Sequence, residues 1–127
     1  MSKTYFISGH RDITEEDFSK HYEQKIFDAI NEGASFVVGD CKGADTMAQK
    51  YLKAMICKNV TVYHMFEEPR FNAGFKTIGG FKDDIQRDYQ MTVNSNDDIA
   101  WVQHGRERSG TAANLERRKL YREGKLQ

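Results

Sequence analysis

Three polar segments carry the residues able to do chemistry, and each follows a short apolar run. The most informative is Gly39-Asp40-Cys41-Lys42-Gly43-Ala44-Asp45. It leaves an apolar run at one glycine, turns through a second, and enters an amphipathic stretch. A strand, a glycine-bearing turn and a helix N-terminus form an anion cradle, since free backbone N–H groups and the positive end of the helix dipole face the turn. Gly39 and Gly43 permit close backbone approach, and Lys42 adds a point charge. The second segment, Ser8-Gly9-His10-Arg11-Asp12, brings an imidazole able to exchange a proton near neutral pH and a guanidinium suited to phosphate. The third ends in Ser109-Gly110-Thr111, two hydroxyls and several N–H donors at a helix start, after Arg106 and Arg108.

Other constellations are weaker. Cys41 lies in a turn before a helix, where a thiol can be activated, but nucleophilic catalysis also needs a base such as His10 across the cleft. The adjacent Asp97 and Asp98 fall at the N-terminal edge of a strand, far from these loops, and read as a turn. Cys41 and Cys57 form no Cys-x-x-Cys pair and have no histidine at zinc-finger spacing, so no metal site is expected. The glycine pattern is neither a Walker loop nor a dinucleotide fingerprint, which argues against an ATPase or a nicotinamide-dependent dehydrogenase. No cofactor is implied.

The elements that must position these loops follow from periodicity. Apolar runs predict strands over 4–8, 35–39, 60–65 and 98–102. None alternates strictly, as expected for strands buried on both faces of a parallel sheet. Thr14 opens a helix whose buried stripe is Phe18, Tyr22, Ile26 and Ile30, and which Gly33 stops. Further helices are predicted over 44–58, burying Met47, Ala48, Tyr51, Leu52 and Met55, and over 81–94 and 111–123. Residues 66–80 hold the one proline, three glycines and three phenylalanines without a period, and read as a long functional loop or lid. Four strands alternating with four helices give a single α/β, Rossmann-like domain over 1–127, with a mainly parallel sheet of order about 3-2-1-4 and helices on both faces. The order reverses beside the first strand, so the three loops share the cleft at the strand carboxyl ends.

Composition bounds the function. Net charge is zero, and 39% hydrophobic with 30% charged residues is ordinary for a globular chain. Residues 103–127 hold seven Lys/Arg against three acids, a local excess that reads first as a solvated helix face. A nucleic-acid accessory role through Arg117, Arg118, Lys119 and Arg122 is therefore least favoured. No apolar run approaches the ~18 residues that span a bilayer, so no membrane partner is expected, and a reducing cytoplasm is the default location. Met55, Tyr89 and Leu120 offer apolar surface for a homodimer or higher oligomer.

The ordered set of motifs resembles the SLOG superfamily of Rossmann-like nucleotide-binding proteins, which includes LOG-type phosphoribohydrolases and is related to nucleoside 2-deoxyribosyltransferases. The resemblance rests on Ser8-Gly9-His10-Arg11, the Gly39–Asp45 turn with its Gly-x-x-x-Gly-Ala-Asp pattern, Arg87 and Met91, and Ser109-Gly110-Thr111 leading to Glu116. It implies a nucleotide or nucleoside phosphate held by Ser8, Gly9, His10, Arg11, Gly39, Asp40, Lys42, Gly43, Asp45, Arg87, Ser109, Gly110 and Thr111. The hydrolytic relatives cleave an N-glycosidic bond with a carboxylate, for which Asp45 and Glu116 are the candidates here. The deoxyribosyltransferase pattern places glutamate four residues after the loop glycine, where this chain has Asn114. Glu116 lies about 200° around the helix from residue 114, at ~100° per residue. A nucleotide-binding protein is the leading expectation, with an N-glycosidase or glycosyltransferase as the alternative.

Overall fold

In the computed structural model, which describes residues 3–127, Gly9 and Gly39 stand where the two central apolar strands end. The strands are β1 (Thr4–Ser8), β2 (Ser35–Val38), β3 (Val60–Met65), β4 (Lys76–Phe81) and β5 (Asp97–Ala100). All pairings are parallel, in the order β4-β3-β2-β1-β5. The fold class is the expected one. The order differs by one edge strand, β4, which lies inside the segment read as a lid.

β4 escapes the hydrophobic pattern because almost nothing on it is buried. Its sequence Lys-Thr-Ile-Gly-Gly-Phe carries two glycines where strands usually carry β-branched residues. Gly79 is required: a Cβ there would collide with the ring of buried His64 on β3. The register slips between Tyr63 and Met65, and Phe66, at φ +55°, closes the irregularity by bonding both ways with the 80–81 backbone. Residues 70–75 are no free lid either. Buried Gln49 donates to the carbonyls of Gly39 and Phe71 and accepts from the N–H of Ala73, and Phe75 packs on the core.

The faces of the sheet are unequal. On one lie the helical segments α1 (Glu15–Phe18), a π-helical turn (Ser19–Glu23) and α2 (Gln24–Asn31), together with α3 (Ala44–Ala54). They bury Phe18, Tyr22, Ile26, Ala48 and Leu52 against Ile7, Phe36, Val38, Val60, Val62 and Ile99. On the other lie α4 (Asp84–Val93) and α5 (Gly110–Arg122) over a much smaller apolar set, Phe6, Val37, Tyr63 and Met91. Period-2 alternation along β1, Phe6 to one side and Ile7 to the other, sorts the two. The polar remainder of the second face is where the chemistry sits.

Capping follows the residues. Thr14 accepts from the N–H of Asp17 at 3.0 Å, and Asp83 from that of Gln86 at 2.8 Å while the Gln86 side chain returns to the N–H of Lys82, a box-like reciprocal arrangement. α3 ends at Ala54, four residues short of the expected end, because Ile56 turns left-handed at φ +57° and Cys57 N–H bonds back to Leu52. Met55 therefore lies half in solvent rather than in the core. α4 starts at Asp84 rather than 81 because Phe81 is claimed by β4.

The π-helical turn aims Tyr22, fully buried, at the junction of the sheet's two halves. Its Oη donates to the carbonyl of Ser8 at 2.7 Å and accepts from the N–H of Trp101 at 3.0 Å. One hydroxyl thus ties the carboxyl end of β1 to the residue after β5. Gly9 carries no side chain because that hydroxyl and the Cβ of Ala44 occupy the space. Tyr22→Phe removes the hydroxyl from the buried Ser8 carbonyl and the partly buried Trp101 N–H and is expected to cost about 1–3 kcal/mol. Urea unfolding measures it as a lower midpoint at unchanged slope; an unaltered midpoint contradicts the strap.

Candidate functional site

The three glycine-bearing loops converge on one cavity of about 510 Å³ at the carboxyl ends of β1 and β2, beside the reversal of strand order. The β1 loop contributes Ser8, Gly9, His10, Arg11 and Asp12. The β2 loop contributes Gly39, Cys41, Lys42 and Asp45, and the start of α5 gives Ser109, Gly110, Thr111, Asn114 and Arg117. α4 completes the wall with Asp84, Ile85, Arg87, Asp88 and Met91. Of the residues expected at the site, Asp40, Gly43 and Glu116 do not line it.

Each of those three has a physical reason. Gly43, at φ +78°, packs against the backbone of His10 and Arg11, and the N–H of Ala44 bonds to His10 O. Its role is to press the β2 loop onto the β1 loop. Asp40 is buried behind the cavity, accepting from Arg70 at 2.8 Å through its backbone N–H and again through Nη2, and from Arg87 Nη1 at 2.8 Å. Burial alone raises its pKa, but Arg70 and Arg87 hold it below the usual carboxylate value. Glu116 is exposed on the outer side of α5, as its angular distance from residue 114 dictates, and its catalytic candidacy falls.

Arg87 is the centre of the floor. Its guanidinium is buried and donates to Asp40, to Asp88 Oδ1 through Nε and Nη2 at 3.1 and 2.9 Å, and to Cys41 Sγ at 3.5 Å. Gly39 has no side chain because Asp45 Oδ2 and the Arg87 guanidinium stand 2.6 and 2.8 Å from where its Cβ would be. Asp88 Oδ2 accepts from Asn114 at 3.1 Å. The cleft therefore contains a carboxylate after all, delivered by α4 and oriented from both sides, while position 114 supplies the amide that holds it.

Asp45 occupies the first turn of α3 and accepts from the N–H of Cys41 at 3.1 Å. The β2 loop thus fills part of its own anion cradle with its own acid. Burial raises Asp45 to about 7, against the pull of Arg87. Burial also raises the Cys41 thiol, helped by Asp45, which disfavours a thiolate nucleophile. His10 is buried with Nε2 accepting from the N–H of Gln103 at 2.9 Å, and burial lowers its pKa. The imidazole is thus neutral and anchors the 101–109 loop.

At the other wall, Ser109 caps α5, its Oγ accepting from Ala112 N–H at 3.2 Å. The N–H groups of Gly110 and Thr111, two residues that line the cavity, find no acceptor among the described residues. The Ser8 hydroxyl is buried there without a partner. Lys42 has no ion-pair partner among the described residues, nor has Arg117, which bonds only the Asn114 carbonyl. The other arginines of the C-terminal helix are committed elsewhere. Arg118 is buried on Asp98 at 3.0 Å and on the Ser95 and Thr92 carbonyls, and Arg122 pairs with Asp97 at 2.7 Å.

Asp84 and Asp88 escaped the reading of sequence because acids on an amphipathic helix look like its solvated side. The available signal was Arg87 and Asp88 flanking the same helical face as buried Met91, one turn on.

Asp45 sets a pH test. Its folded pKa, about 7, exceeds the ordinary value of 3.8, so the folded state binds the extra proton between those limits. Its contribution to stability is complete below pH ~4 and is lost as pH rises through 7. Asp45→Asn, which keeps an acceptor for Cys41 N–H, is expected to gain on the wild type as pH goes from 4.5 to 8. Urea midpoints that stay parallel across that range overturn the assignment. Comparison with models of protein families, with curated proteins and with solved structures found no match for the chain.

Proposed function

We propose that the chain is a nucleotide- or nucleoside-phosphate-binding protein of the SLOG type, its ligand seated in the cavity at the carboxyl ends of the strands. The observation that carries this reading is the set of donors lining one cavity without an acidic partner: the N–H groups of Gly110 and Thr111, the buried Ser8 hydroxyl, and the cations Lys42 and Arg117. A phosphate answers all of them at once, through the helix dipole, oriented N–H groups and charge. Asp88 and Asn114, with acceptor and amide atoms in the same cavity, suit sugar hydroxyls. Ile85, largely exposed at the rim, offers apolar surface for a base. The resemblance in ordered motifs points the same way.

A second reading, N-glycosidic bond cleavage, is favoured by the two carboxyl groups of unlike environment in one cavity. Asp45, raised to about 7, holds a proton near neutral pH that a departing base requires. Asp88, fixed by Arg87 and Asn114, is in this reading the carboxyl group that meets the positive charge of the anomeric carbon. Two carboxyl groups in unlike surroundings are the usual division of labour in such chemistry.

Calorimetric titration with a panel of nucleoside monophosphates tests the first reading. One of them is expected to bind, and Arg117→Gln and Lys42→Gln are each expected to weaken it by about tenfold, since a hydrogen bond to a charged group contributes ~1.5 kcal/mol or more. Absence of heat and of any melting shift across the panel ends the proposal. The glycosidase reading adds a chromatographic assay for free base. Release that disappears in both Asp45→Asn and Asp88→Asn supports it, and tight binding without release removes it.

A further inference from the structure

Asp84 gathers more positive charge than a helix-start acid needs. Its Oδ2 takes Arg11 Nη2 at 2.7 Å, and its Oδ1 takes Arg70 Nη2 at 2.8 Å and Arg87 Nη1 at 3.0 Å. The three arginines come from three segments: the loop after β1, the 66–75 connection and α4 itself. Arg87 does not depend on Asp84, being satisfied by Asp40 and Asp88. Arg11 has no other carboxylate among the described residues, and it is about half exposed. This is an arginine cluster with the fork geometry that suits phosphate, closed by the chain's own carboxylate.

Its position is also informative. A second cavity, of about 290 Å³, is lined by Arg11, Asp40, Cys41, Lys42, Arg70 and Phe71. Arg11, Cys41 and Lys42 face both cavities. The Arg11–Asp84–Arg70 chain of ion pairs joins a wall of the first cavity to a wall of the second. Asp84 itself is a third exposed, so its carboxylate can turn to solvent and remain at the favourable end of the α4 dipole. Ion pairs at that exposure contribute little to stability, and exchanging a carboxylate for a phosphate, with more charge and more acceptor oxygens, strengthens the contacts to Arg11 and Arg70.

We propose that the ligand carries a second anionic group, as nucleoside diphosphates and dinucleotides do, which displaces the Asp84 carboxylate from Arg11 and Arg70. The proposal rests on the phosphate reading of the same cavity and narrows its substrate class to phosphoanhydride-linked compounds. Asp84 acts as an internal competitor that occupies the arginines until such a group arrives.

Inorganic phosphate and pyrophosphate are the probes, titrated into wild type, Asp84→Asn, Arg11→Gln and Gly110→Pro, with melting temperatures confirming that each variant is folded. Asp84→Asn is expected to bind pyrophosphate about tenfold more tightly than wild type, with a smaller change for phosphate. Arg11→Gln is expected to weaken pyrophosphate about tenfold and phosphate by a clearly smaller factor. If Asp84→Asn binds pyrophosphate no better than wild type while phosphate still binds, the internal-competitor proposal fails and the α5 reading survives. Pyrophosphate binding that ignores Gly110→Pro but responds to Asp84→Asn separates the outcomes in the other direction, keeping the arginine subsite and removing the α5 one. Arg11→Gln that weakens both probes equally also overturns the proposal.

Discussion

The architecture of the cleft depends on burying one guanidinium. Arg87 sits under the loops with its donors shared among Asp40, Asp84, Asp88 and the Cys41 sulfur. A charge in that place is tolerable only when it is fully paired, because an uncompensated buried ion costs several kcal/mol. The partners are correspondingly committed: Asp40 fixes the loop after β2, and Asp88 fixes the face of α4 that meets α5 through Asn114. The glycine at 39 exists to let this side chain in. Remove the arginine and three carboxylates face one another across the floor, so the residue sets both the shape of the cavity and the sign of its field.

This explains the asymmetry between the two sides of the sheet. The α2 and α3 side is filled by large apolar residues and supplies cohesion. The α4 and α5 side gives up apolar packing to accommodate Arg87, Arg118, Thr92, Ser95 and Asn114, all buried. Such a layer is held by directional bonds, which makes it specific in geometry rather than strongly cohesive. Functional groups can be exact there because nothing around them repacks freely.

Much of this was legible in sequence, and the limits are physical. Apolar runs ending in glycine located β1, β2 and their loops, since a strand buried on both faces must read as continuous hydrophobicity. Ser109 and the Gly110-Thr111 pair located the start of α5 through capping preference. β4 was hidden because an exposed edge strand with two glycines has no burial pattern to display. Asp88 was hidden because polarity on a helix announces solvent, and nothing local says that a neighbouring helix has turned that face inward. Tyr22 was placed correctly in the buried stripe, yet its hydroxyl bonds depend on a π-helical turn that residue spacing does not announce.

Trp101 gives the strap at β1 and β5 an optical dimension. It is the sole tryptophan of the chain, and its indole lies flat on the His21 ring, with centroids 3.9 Å apart and planes within 7°. His10, from the cavity wall, meets its edge. Its backbone N–H is the one bonded by Tyr22. Its fluorescence is therefore a signal from the junction of β5 with the π-helical turn, at the edge of the larger apolar core. An emission change reports that the residue after β5 has parted from the π-helical turn, and so that the strap has loosened together with the layer it belongs to.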